Sequence, residues 1–152
     1  MADLETYKEE PAQAATSGKR EFPKIHFYDQ DFVDIYDQTW AWSQDFAKKG
    51  TVKSKFANRF FNPPDTASIV QFEAIFSTFF LVYSNRIFPV GAQLDNFYNK
   101  QEADGAIRGE YSTKDGKPVP IKDNAHGVQP PLFAWAEYNI YHKIGNKKRI
   151  RD

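Results

Sequence analysis

The feature that most constrains the fold is an apolar segment that runs from Thr66 to Ile87. Its hydrophobic side chains would lie on nearly every side of a helix, not along one stripe, so the segment must be buried between other elements. A membrane span needs about 20 consecutive apolar residues, and Gln71 and Glu73 interrupt this run. We therefore predict a buried helix within a layered all-α structure, because two helices alone cannot bury it.

Three further helices are predicted around this segment. The first covers about Phe32–Ala47, with acidic residues at its start and Gly50 as its stop. The next runs from Ala92 to Gln101, and the last starts at Pro130, since proline is tolerated in a first turn. The side chains predicted to face the interior are Phe32, Ile35, Trp40, Leu94, Phe97, Tyr98, Leu132, Trp135, Ala136 and Ile140.

The chain of 152 residues is expected to form one domain over residues 22–152. Residues 1–21 are polar and without apolar periodicity, which predicts a disordered tail. The segment 103–128 has no helical period, and an irregular stretch of that length in a compact domain is uncommon unless it is functional or mobile. Gly145 ends the last predicted helix, and Lys147–Asp152 has the composition of the start of another.

Composition argues against several classes of function. Twenty basic residues balance twenty acidic ones, whereas a nucleic-acid-binding protein normally carries a basic excess. The sequence contains no cysteine, and its three histidines have no metal-ligand spacing. We expect no metal, no cofactor, no nucleic acid and no membrane partner. The first residues lack the apolar run of a signal peptide, and we expect a cytoplasmic protein.

Two carboxylates in the irregular segment, Asp104 and Glu110, could be taken for a catalytic pair. Asp104 precedes a glycine in a turn, where its side chain can bond to its own backbone. We therefore interpret the two residues as a turn and a pocket rim. Aromatic residues make up 16% of the chain; they can fill a core or form a stacking surface.

Three segments, in their order along the chain, carry a resemblance to a known family. Residues Tyr36–Trp42 resemble a tryptophan-rich entry segment, Asn96–Arg108 is similar to a hairpin connection with an Asp-Gly turn, and Gln129–Ala136 is similar to a Gln-Pro-Pro helix start. All three occur in the six-hairpin glycosidases. The resemblance is to the mannosylglycerate and glucosylglycerate hydrolases of glycoside hydrolase family 63, with trehalases and amylo-glucosidases as more distant relatives.

The resemblance implies an (α/α)6 barrel built of antiparallel helical hairpins. Twelve helices with their loops need at least ~200 residues, and this chain has 152. We therefore expect an incomplete (α/α)6 barrel, namely its N-terminal part. The partner would then be the remainder of the barrel, if the gene is split.

The resemblance also implies what the chain can do. Glycoside hydrolysis needs two carboxyl groups, which in this family lie in segments beyond the Gln-Pro-Pro helix, so no catalytic residue is assigned here. The resemblance implies instead that this chain contacts the substrate, a small carbohydrate. The residues implied to make the contact are Tyr36, Trp40, Trp42, Gln101, Arg108 and Gln129. The chain departs from the family at Ala41 and Ser43, where relatives often have an aspartate directly after the tryptophan, which puts the acceptor-side contact and the substrate in doubt.

Three hypotheses remain open. The first is the N-terminal portion of a glycoside hydrolase acting on a small α-glucoside or α-mannoside, inactive alone. The second is a non-catalytic helical domain that binds carbohydrate or serves as a scaffold. The third is a complete small helical domain. In the first case, the Thr66–Ile87 helix would leave an exposed apolar patch.

Overall fold

The computed structural model describes residues 22–120 and 129–151 of the chain, with the side chain of Arg151 excepted. The α-helices are α1 (Gln30–Ser43), α2 (Gln71–Leu81), α3 (Gly91–Tyr98), α4 (Phe133–Ile144) and α5 (Lys147–Arg151). The strands are β1 (Ala47–Lys48), β2 (Phe60–Phe61), β3 (Ser68–Val70) and β4 (Glu110–Ser112). The predicted tail lies outside the described residues.

The described part of the chain is mixed α/β, so the prediction of an all-α, incomplete (α/α)6 barrel is wrong. β1 pairs with β2 and β3 pairs with β4, each pair antiparallel, with Ala47 opposite Phe61 and Ser68 opposite Ser112. Strands of two or three residues are too short to show an alternating pattern. They form because tertiary contacts bring distant segments side by side.

The apolar segment that dominates the sequence divides into a strand and a helix. Its first part is β3, extended by a hydrogen bond from Thr113 N to Ala67 O at 2.9 Å. Gln71 N then donates to Gly109 O at 2.8 Å, at the point where α2 starts. The predicted helix start at Thr66 is therefore wrong, because pairing with β4 holds these residues extended.

Within residues 22–120 and 129–150, two core clusters meet at α2. One cluster joins α2, α3 and α4, and the other joins α2 and α3 to the strands. Ile75 belongs to the first and its neighbour Ala74 to the second. The first cluster contains Ile75, Leu81, Ile87, Phe88, Val90, Leu94, Ala136 and Ile140; the second contains Phe56, Phe60, Ile69, Ala74, Phe97 and Tyr111.

Several helix ends lie where the sequence predicts them. Asp29 caps α1, its carboxylate accepting from Asp31 N at 3.0 Å. Gly145 ends α4 with a left-handed φ of 73°, which favours glycine, and α5 follows where a further helix was predicted. The predicted stripe on α1 is wrong in its first part, where Phe32 is 59% and Ile35 61% exposed, and is confirmed at Trp40, which is buried. No helix in the described ranges is long and apolar enough to cross a membrane.

A nearly buried ionic cluster ties α5 to α3 and α4. Arg149 donates to both carboxylate oxygens of Glu137, at 2.8 and 2.7 Å, and to Asp95 Oδ1 at 2.8 Å. It also donates to Gly91 O at 3.2 Å. Tyr98 donates its hydroxyl proton to Glu137 Oε1 at 3.1 Å. One guanidinium therefore binds two carboxylates from two helices.

Burial and pairing act against each other in this cluster. Burial raises the pKa of the Asp95 carboxyl, and Arg149 only partly opposes this rise. Burial alone would lower the pKa of Arg149, but its hydrogen bonds to Glu137 and Asp95 raise it. Burial also raises the pKa of Tyr98, which keeps its donating proton.

Replacement of Arg149 by methionine should destabilise the fold by about 3 kcal/mol at pH 7, because it leaves two carboxylates buried without their cation. The measurement is urea unfolding followed by circular dichroism. The matched control is Arg86→Met, at an exposed arginine after α2, where a change below about 0.5 kcal/mol is expected. Equal losses for both variants would contradict the clamping role of Arg149.

The raised pKa of Asp95 gives the pH dependence a definite sign. In the folded state this carboxyl takes up a proton at a higher pH than in the unfolded chain, where its pKa is about 4. The free energy of unfolding of the wild type, relative to that of Asp95→Asn, should therefore fall as pH rises from about 4. The difference becomes constant above the folded pKa. Unfolding of both proteins between pH 3.5 and 7 tests this, and a rise with pH would contradict it.

Candidate functional site

The six predicted contact residues lie in three places. Tyr36, Trp40 and Trp42 are on α1, and Gln101 and Arg108 border the turn after α3. Gln129 lies just before α4. Residues within one of these groups lie close together, whereas the three groups contact different parts of the fold.

The tryptophans of α1 have opposite environments. Trp40 is 8% exposed, and its ring stacks on Phe22 with centroids 4.9 Å apart. The ring of Tyr36 meets Trp40 edge-on at 6.2 Å, and that of Phe80 does so at the same distance. Trp42 is 57% exposed. Of the two tryptophans, Trp42 is therefore the one whose ring is open to solvent.

Gln101 and Arg108 brace the turn that they border. Gln101 Nε2 donates to Gly105 O at 2.9 Å. Arg108 forms a two-point ion pair with Glu102, at 2.7 and 2.9 Å, and these hydrogen bonds raise the pKa of its guanidinium.

The two carboxylates of the irregular segment are held in place. Asp104 Oδ1 accepts from Ala106 N at 3.0 Å, which confirms the predicted bond to its own turn. Glu110 accepts a short hydrogen bond from the hydroxyl of Ser68, across the sheet of β3 and β4. Each of the two carboxylates therefore takes part in a hydrogen bond that holds the fold together.

Gln129 joins the starts of two helices. Its Oε1 accepts from Phe72 N at 2.7 Å, in the first turn of α2. In return, Gln71 Nε2 donates to Pro130 O at 3.1 Å. Val70 is the N-cap residue of α2, and its side chain makes no capping hydrogen bond. Gln129, which is distant in the sequence, caps the helix instead. Its Nε2 makes no hydrogen bond to the described residues and remains a donor.

A group of aromatic side chains lies beside Gln129, on the outer side of α2 and α4. We call Phe72, Phe76, Phe79 and Trp135 the aromatic surface. Phe72 is 46%, Phe76 42% and Trp135 46% exposed. Phe76 lies 4.5 Å from Phe72 and 5.8 Å from Trp135 between ring centroids, and Phe79 lies 4.4 Å from Trp135.

Sequence reasoning missed two features of this region. It assigned Trp135 and the phenylalanines of α2 to the interior, and the helical spacing gives no signal that separates the two sides of an apolar helix. It also missed Lys100, whose Nζ donates to Ser54 O at 2.7 Å and lies 4.6 Å from the ring centroid of Phe56. Burial lowers the pKa of Lys100. These contacts join distant segments, so no local pattern marks them.

No group of three or more metal-ligating side chains occurs among residues 22–120 and 129–150. A cavity of about 460 Å³ lies between α4 and α5, lined by Tyr138, His142 and Ile150 among others. Arg149 also borders it, but its guanidinium is already bound to Asp95 and Glu137. The cavity therefore offers mainly apolar contact, whereas Gln129 offers a directed polar group.

Comparison with known proteins identifies one relative among curated sequences. The chain is 42% identical over 136 residues to an uncharacterized protein of Borreliella burgdorferi. The match covers 88% of this chain and 28% of the relative, so the chain spans little more than a quarter of that protein's length. No family model matches the chain, and no solved structure matches it.

Proposed function

We propose that the chain is the N-terminal portion of a cytoplasmic glycoside hydrolase that acts on a small α-glucoside or α-mannoside. Its part in that enzyme is substrate contact, and the general acid and base are supplied by further polypeptide. The order of the three segments Tyr36–Trp42, Asn96–Arg108 and Gln129–Ala136 supports this proposal. The substrate is a small carbohydrate, and no metal or cofactor is required.

The position of Gln129 is the observation that carries the proposal. The oxygen of its carboxamide is held by Phe72 N, which fixes the side chain at the start of α2. The NH2 group at the other end can donate two hydrogen bonds, and the hydroxyl oxygens of a sugar are acceptors. A ligand contact made by a side chain that is already oriented loses little conformational entropy on binding.

The carboxylates support a contact role without catalysis. Hydrolysis of a glycoside needs an acid for the leaving oxygen and a second carboxylate for water or for a covalent intermediate. Asp104 is bonded to its own turn and Glu110 to Ser68. The Borreliella burgdorferi relative has nearly three-quarters of its length outside the match, which is ample chain for two further carboxylates.

A second candidate is a non-catalytic carbohydrate-binding domain. The exposure of Trp42, at 57%, favours it, because an exposed tryptophan ring can stack on a sugar without any catalytic group nearby. The two candidates agree on sugar binding and differ on hydrolysis by the longer protein.

Substitution of Gln129 separates its structural role from its binding role. Gln129→Glu keeps an acceptor for Phe72 N, and a carboxylate is favourable at a helix N-terminus, so we expect stability to be retained. It removes the NH2 donor, and loss of one hydrogen bond should weaken sugar binding about fivefold. Gln129→Ala loses both functions and should be destabilised by about 1 kcal/mol. Titration of the 15N-labelled protein with methyl α-glucoside and methyl α-mannoside measures the binding.

In the wild type, the side-chain amide resonances of Gln129 should shift on addition of one of the two sugars. Unchanged resonances with both sugars would contradict the contact role. Hydrolysis is assayed separately, with p-nitrophenyl α-glucoside and α-mannoside. We expect none from this chain and release of nitrophenol by the full-length Borreliella burgdorferi relative. Sugar binding with an inactive full-length relative would favour the non-catalytic candidate.

A further inference from the structure

The aromatic surface formed by Phe72, Phe76, Phe79 and Trp135 is a feature that sugar contact leaves unused. Its rings touch one another across α2 and α4, so they form one patch and not scattered exposed residues. Contiguous exposed aromatic groups of this kind mark interaction sites in soluble proteins. The side chains that α2 turns inward already serve the two core clusters, through Ala74, Ile75 and Leu81.

The geometry of the rings indicates what kind of ligand fits. Neighbouring rings are inclined by 38° at Phe72–Phe76, 71° at Phe76–Trp135 and 48° at Phe79–Trp135. Rings inclined in this way form ridges with grooves between them, and they do not form the flat platform on which a sugar ring stacks. Side chains at helical spacing pack into such grooves when one helix crosses two others.

Charged side chains occur near both ends of α2. Glu73 is exposed in the first turn of α2. Beyond the other end of α2, Lys143 lies over the ring of Tyr83, 5.1 Å from its centroid. The four rings between these ends carry no charge. The patch extends along α2 from Phe72 to Phe79, about two turns at 3.6 residues per turn. A complementary segment therefore has an apolar face of about the same length.

The length of the relative points to the source of such a segment. The match takes in 88% of this chain but 28% of the Borreliella burgdorferi protein. Most of that protein is therefore polypeptide with no counterpart in this chain. A polypeptide that folds against the matched region must bury an apolar surface on it, and the aromatic surface is an exposed apolar patch that spans two packed helices.

We propose that the aromatic surface is the docking site for an amphipathic helix from polypeptide homologous to the unmatched part of the Borreliella burgdorferi relative. The helix lays its apolar face across α2 and α4 and fills the grooves beside Phe76 and Trp135. This assignment stands whether or not the chain takes part in glycoside hydrolysis, because it rests on the packing of the rings and on the length of the relative.

The test is co-expression of this chain, carrying an affinity tag, with the Borreliella burgdorferi protein from which the 136 matched residues have been removed. A 1:1 complex should be recovered by affinity and size-exclusion chromatography, without sugar. In the complex, carbene labelling of Phe76 and Trp135 should fall at least fivefold relative to the chain alone. Phe76→Ser and Trp135→Ser should each weaken the complex at least tenfold.

The matched control is Phe32→Ser, at a phenylalanine on α1 that is 59% exposed and lies outside the aromatic surface. It should leave the complex unchanged. Urea unfolding of each variant alone verifies that it is folded. No complex with the wild type, or equal binding by the folded Phe76→Ser variant, would refute the docking site. A homodimer of the chain that Phe76→Ser abolishes would also refute it, because the occupant would then be a second copy.

Failure of docking and failure of sugar contact are distinguishable. Docking is measured without sugar and through Phe76 and Trp135, whereas sugar binding is measured on the chain alone and through Gln129→Glu. Gln129→Glu should leave the complex intact.

Discussion

The hydrogen bonds between the start of α2 and the start of α4 are the constraint on which the rest of the structure depends. Phe72 N and Gln71 Nε2 donate to Gln129 and Pro130, 57 and 59 residues further along the chain. The first bond satisfies a backbone N–H group that a helix start leaves open, and the second joins Gln71 to the segment before α4. Together they fix α4 beside α2. The contact between these helices then shapes the first core cluster and the aromatic surface. The first core cluster, the cap of α2 and the candidate contact residue Gln129 therefore depend on the same contact between α2 and α4.

Arg149 provides a second constraint between distant segments, because it joins α5 to α3 and α4. Replacing a buried ion pair by apolar groups is often neutral or stabilising, so such a pair is weak evidence for stability. Its geometry is specific, however, because one guanidinium meets two carboxylates and a backbone carbonyl in fixed directions. We interpret the cluster as a device that selects one position for α5, at a desolvation cost that the raised pKa of Asp95 records.

Local signals predicted those parts of the fold that local interactions determine. Asp29 caps α1, Gly145 ends α4, and Asp104 bonds to its own turn, since each contact spans only a few residues. Pairing over long distances overrode local propensity elsewhere. The sequence predicts a helix at Ser68–Val70, but these residues form a strand with Glu110–Ser112. The fold is therefore not all-α. For the site, Gln129 was selected by resemblance, whereas its bond to Phe72 follows from the tertiary fold.

The sequence by itself determined that one apolar segment organises the chain and that two helices follow it, predicted at Ala92–Gln101 and from Pro130. The structure has them as α3 and α4. Hydrophobic periodicity and caps are properties of neighbouring residues, and they survive in any fold. Only the tertiary structure decided which sides of α2 are covered. Ile75 and Phe76 are adjacent and equally apolar, yet the first is fully buried and the second is 42% exposed. The difference arises because burial depends on where α3 and α4 pack, and that is set by contacts between residues far apart in the chain.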